Sequence, residues 1–179
     1  MGRFDSYSGL LSAYPYAFGR SDSRLFKSYA LVSGLLAGLF AFMMVAAVLV
    51  LLGNTEGARG GTLTLSRTFY VVVGLFVFVP LVAPVLLVAR RHRRDTPVDS
   101  RYDPALAAAG YLFVLSVYAG LVASMPETFT TNGETVARPE PAGLLAPVVE
   151  ALYSIPPVAS PLLVLAGGIL VYLAHRRFR

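Results

Sequence analysis

Four long apolar runs alternate with polar segments along the chain, and basic residues gather at every second junction. The first run extends from Tyr29 to Leu52 without a charge, the second from about Arg67 to Ala89, the third from Ala105 to Met125, and the last from Pro157 to Ala174. A hydrocarbon core about 30 Å thick takes roughly 20 apolar helical residues to cross. The second run is rich in Val and Phe, which favour strands in water. In a bilayer, however, every backbone N–H and C=O needs an internal partner, so a run of this length reads as a helix. The pattern predicts an all-α membrane protein with four transmembrane helices, approximately 27–52, 67–89, 105–125 and 157–174. They form a single integral membrane domain over residues 1–179.

The junctions add detail. Ser21, Asp22 and Ser23 each offer an oxygen to cap the first long helix, and Gly53-Asn54 offers a stop. Asp103-Pro104 reads as an N-cap followed by proline at the first helical position. Residues 54–66 and 90–103 read as loops. In the head, Gly9, Pro15 and Gly19 argue against one continuous helix, and its tyrosines and arginines suit the lipid headgroup layer. The external loop, 126–156, begins polar and is kept extended by Pro139 and Pro141. From Leu144 the apolar spacing turns helical (Leu145, Val148, Val149, Leu152, with Glu150 opposite), predicting a short amphipathic helix.

Charge gives an orientation. The net charge of +5 comes from 15 basic and 10 acidic residues. Arg3, Arg20, Arg24 and Lys27 precede the first run; Arg90, Arg91, Arg93, Arg94 and Arg101 follow the second; Arg176, Arg177 and Arg179 follow the fourth. The other side holds only Arg59, Arg67 and Arg138. With four spans both termini share a side, and the positive-inside rule makes it cytoplasmic. The topology expected is N-in/C-in and multi-pass, in the cell (plasma) membrane. Topology and anionic headgroups account for the basic balance without nucleic acid as a partner. The absence of cysteine excludes disulfides and thiolate metal sites. No cleavable signal peptide is expected, since the first run is too long for one.

Candidate chemistry is sparse. No catalytic motif, cofactor site or metal-ligand cluster stands out, and the apolar runs contain no ionisable residue in their interiors. A membrane-buried charge is the usual mark of a proton-coupled carrier, so that class is disfavoured, as is haem binding through paired histidines. His92 and His175 lie within arginine clusters and are expected to be solvated. Arg90, Arg91, Arg93, Arg94, Arg176 and Arg177 are candidates for lipid headgroup contact. Gly34 and Gly38 in the first run, and Ser116, Gly120 and Ser124 in the third, form small-residue ladders that let helices approach closely. Internal packing is the plainer use of such ladders, and a homo-oligomer or membrane-partner seam the sharper one. Pro80 and Pro84 are candidate bend positions, each removing a helical N–H donor.

Three stretches, Tyr14-Pro15-Tyr16-Ala17-Phe18, Ser23-Arg24-Leu25-Phe26 and the run from Leu81 to Arg94, resemble an uncharacterised family of small four-span membrane proteins of halophilic archaea. The resemblance spans nearly the whole chain and implies a plasma-membrane location with no known activity. The expected function is a non-enzymatic accessory or scaffolding component. The alternative is a small permease or channel subunit acting as an oligomer, with a polar path near Pro80 and Pro84.

Overall fold

The computed structural model describes residues 9–53, 61–94, 99–131 and 134–179. Among these residues are six α-helices, α1 (Leu10–Arg20), α2 (Arg24–Gly53), α3 (Gly61–Arg93), α4 (Tyr102–Ala123), α5 (Ala146–Tyr153) and α6 (Ser160–Phe178), with a hairpin, β1 (Thr128–Thr131) and β2 (Glu134–Ala137), between α4 and α5. Four helical segments are long and apolar enough to cross a membrane: Arg24–Val50, Gly74–Arg93, Tyr102–Ala123 and Pro157–Phe178. The chain is a multi-pass, mainly helical membrane protein.

Local chemistry sets the helix limits. Of the three possible caps before α2, Ser23 serves, its Oγ accepting the Phe26 N–H at 3.2 Å. Helix α3 already begins at Gly61, inside the stretch expected to be loop, and continues through Pro80 and Pro84 to Arg93. Asp103 is not the cap of α4. The Asp99 carboxylate accepts the Arg101 N–H at 2.9 Å, and its carbonyl accepts the Tyr102 N–H at 2.9 Å. Asp103 therefore lies within the first helical turn, one residue before Pro104.

The head departs most from expectation. Residues Leu10–Arg20 form one helix despite Pro15 in its middle. Pro15 costs the helix a hydrogen bond, but burial of Ala13, Tyr16 and Ala17 among Phe26, Tyr29, Val85, Val88 and Leu106 offsets it. The α1 helix thus plugs one end of the bundle, packing chiefly on α3, and Tyr16 is 4% exposed.

α4 forms the bundle's spine, with its most extensive contact to α6. A Cβ on Gly167 would overlap Ser116 Oγ and stand 3.2 Å from Phe113 Cα, and one on Gly120 would lie 2.9 Å from Val164 Cγ2. These absent side chains bring the two helix backbones close. Mid-bundle, Ala37, Leu81, Val82, Ala109, Phe113 and Val171 fill the centre.

The loop after α4 contains an element that hydropathy did not predict. β1 and β2 pair antiparallel, with Thr128 opposite Ala137 and Thr131 opposite Glu134. The Asn132-Gly133 dipeptide between them in sequence is a strong hairpin signal. Asn132 and Gly133 themselves lie outside the described residues. The short helix expected from Leu144 onward is α5, none of whose residues is buried.

Candidate functional site

At the end of the bundle where α3 and α6 finish and α4 begins, polar side chains converge. Asp103, 7% exposed, turns inward from the first turn of α4. Its Oδ2 accepts a hydrogen bond from Ser21 Oγ at 2.5 Å and lies 3.0 Å from His92 Nε2. Ser21, fully buried, also accepts the Ser23 N–H at 3.3 Å. One carboxylate therefore ties the α1–α2 corner to the last turn of α3 and the first of α4. The order is Ser–Asp–His with the acid in the middle, so the serine is not bonded to the imidazole that would activate a nucleophile. The arrangement is a latch.

Beside it is a cavity of about 480 Å³ lined by Leu87, Arg90, Arg91, Arg94, Tyr102, His175 and Arg179. The 3.6-residue period places Leu87 one turn deeper than Arg90 and Arg91 on α3, and Arg94 follows the last helical residue, its N–H donating to the Arg91 carbonyl at 3.1 Å. The Arg91 guanidinium stacks over the buried Tyr102 ring, 4.6 Å from its centroid. Tyr102 OH in turn lies 2.7 Å from His175 Nδ1. Both histidines thus have side-chain partners, His92 with Asp103 and His175 with Tyr102, which corrects the expectation that they are merely solvated.

The candidate headgroup residues separate into two sets. Arg90, Arg91 and Arg94 line the cavity and are joined by Arg179, which hydropathy did not single out. Arg93, Arg176 and Arg177 do not line it; Arg177 lies over the Phe178 ring, 5.9 Å from its centroid.

The small-residue ladders also separate. Ser116 and Gly120 are consumed by α6, while Ser124 bonds the Leu121 carbonyl at 2.8 Å. Gly34 is covered by Tyr14, whose ring comes within 3.3 Å of where a Cβ would stand, whereas nothing lies within 4 Å of the corresponding point at Gly38. Near the proline stretch of α3, Tyr29 OH donates to the Leu81 carbonyl at 2.6 Å. Gly110 leaves room for that tyrosine, because a Cβ there would overlap its ring. Tyr111 OH donates to Ser28 Oγ at 2.9 Å, and Ser116 Oγ to the Phe113 carbonyl at 2.7 Å.

A family model described as "Domain of unknown function (DUF8056)" matches residues 1–179. The chain belongs to that family. No curated protein and no solved structure matches it. Family membership covers the latch and the cavity alike and names no activity for either. Among the described residues, no group of three or more His, Cys, Asp or Glu side chains is placed to hold a metal ion.

Proposed function

We propose that this chain is a non-enzymatic accessory or scaffolding component of the cell membrane, N-in/C-in, working through lateral contact with a second copy or a membrane-protein partner. The observation that carries this reading is the state of α2. It is the most apolar of the four spans and the least buried inside the bundle. Leu31, Leu35, Leu39, Phe42 and Met43 face outward, between 54% and 77% exposed. Gly38 lies in the same stretch with open space above its Cα, where a neighbouring helix backbone can approach closely. Ser116 and Gly120 of the other ladder already pack against α6, whereas Gly38 on α2 has no such neighbour.

The permease alternative has less support. Its polar path would pass near Pro80 and Pro84, and that level of the bundle is filled by Leu81, Val82 and Phe113.

The chain contains no cysteine, so each introduced thiol is the only one. Leu35→Cys and Phe42→Cys on α2 should give discrete disulfide-linked or heterobifunctional adducts in native membranes, while Leu162→Cys on α6 should not. Uniformly monomeric product from the two α2 positions would end this reading.

A further inference from the structure

We infer that the cavity at the arginine-rich end is a binding site for a phosphate-bearing anion. It draws guanidinium groups from two helix ends: Arg90 and Arg91 from the last turn of α3 with Arg94 just beyond it, and Arg179 just beyond α6. Helix C-termini attract basic residues in any case, because each carries about half a negative charge. Two such ends offset about one of the four positive charges, so most of the charge remains for a ligand. The neighbouring carboxylate, Asp103, does not line the cavity, and its Oδ2 is bonded to Ser21 and His92.

The site is also partly preorganised. Arg91 is held over Tyr102 at 4.6 Å, and Tyr102 is held by His175 at 2.7 Å. A guanidinium fixed in this way loses less conformational freedom on binding, and its planar fork matches two phosphate oxygens at once. Arg90 and Arg94, both exposed, can close on the anion from the open side. The volume, about 480 Å³, is in the range of small-molecule sites, and Leu87 supplies an apolar wall. The shared chemistry is a phosphate group, carried by an anionic lipid headgroup or by a soluble anion.

A built site differs from general attraction of a basic surface to an anionic membrane. General attraction is worth about 1 kcal/mol for each basic residue near the surface and would be shared by every arginine at that end. The test uses the full chain in zwitterionic detergent and compares dioctanoyl phosphatidylglycerol, inorganic phosphate and dioctanoyl phosphatidylcholine by native mass spectrometry and calorimetry. Saturable binding of an anionic probe at one site is expected, with phosphatidylcholine much weaker. Arg90→Gln/Arg94→Gln should weaken binding at least about tenfold, the scale of losing one charge-assisted hydrogen bond. The charge-matched Arg176→Gln/Arg177→Gln should leave affinity near that of the unaltered chain. Arg179→Gln, from the other helix end, should reproduce the loss, and unchanged thermal unfolding without ligand shows that each variant is folded. Tight binding of the lipid alone assigns a headgroup site, and equal binding of inorganic phosphate assigns a soluble anion. Equal losses from both arginine pairs, or no saturable binding, would overturn the inference.

Discussion

Asp103 accepts Ser21 Oγ–H through the oxygen that His92 Nε2 approaches, at 2.5 and 3.0 Å, from within a buried corner where three helices meet. Removing the carboxylate strands two polar groups rather than one. A buried donor left without a partner costs about 1–3 kcal/mol, and Ser21 is fully buried. Asp103→Ala should therefore destabilise the protein by about 2 kcal/mol or more in thermal unfolding in micelles. Asp103→Asn keeps an acceptor oxygen for Ser21 and should cost clearly less; equal losses would mean the latch depends on the carboxylate charge and not on a neutral acceptor oxygen. The residue's type was legible in the sequence, and its role was not. Asp99 and Asp103 both precede helical residues, and nothing local says which one serves the first turn. The deciding partner, Ser21, lies 82 positions away, a separation that hydropathy periods do not encode. The same holds for Tyr102 and His175, 73 positions apart.

Hydropathy reads well along a helix and poorly across the contact between two helices. Four spans follow from it directly, because the cost of unpaired backbone in hydrocarbon leaves few alternatives. The α1 helix, the hairpin and the choice of packing faces depend on which neighbour fills which gap. Glycines make that choice measurable. An added methyl at Gly110 meets the Tyr29 ring, and one at Gly167 meets Ser116 and the Phe113 backbone, whereas at Gly38 it meets nothing within 4 Å. Overpacking costs about 1–3 kcal/mol, while exchanging glycine for alanine in an unhindered helix gains up to about 1 kcal/mol. With the protein monomeric in micelles, Gly110→Ala and Gly167→Ala should thus lower the unfolding temperature, and Gly38→Ala, away from any contact within the chain, should hold or raise it. If all three shift it alike, the close approaches at Gly110 and Gly167 are not what sets helix spacing. The hairpin shows the converse: its Asn-Gly signal is fully local, yet four-residue strands are easily masked beside long helical runs.

At the scale of the whole molecule, structure and charge address different questions. The 2.7 Å contact between Tyr102 and His175 places the start of α4 and the finish of α6 at one end of the bundle. The hairpin follows the opposite end of α4. Which end faces the cytoplasm depends on the arginines, twelve of the 15 basic residues lying at the first end or in the segments that lead to it. Basic side chains near span ends are held back during insertion, so that end should remain inside. Because the chain lacks cysteine, sidedness can be read one thiol at a time at the exposed positions Ser100, Arg177 and Thr135. In intact cells a membrane-impermeant maleimide should label Thr135→Cys and spare Ser100→Cys and Arg177→Cys; after permeabilisation it should label all three. Outside labelling of positions 100 and 177 together would invert the orientation while keeping four spans. Labelling of only one of them would break the even-span topology itself, and with it the placement of the arginine cavity on a single membrane face.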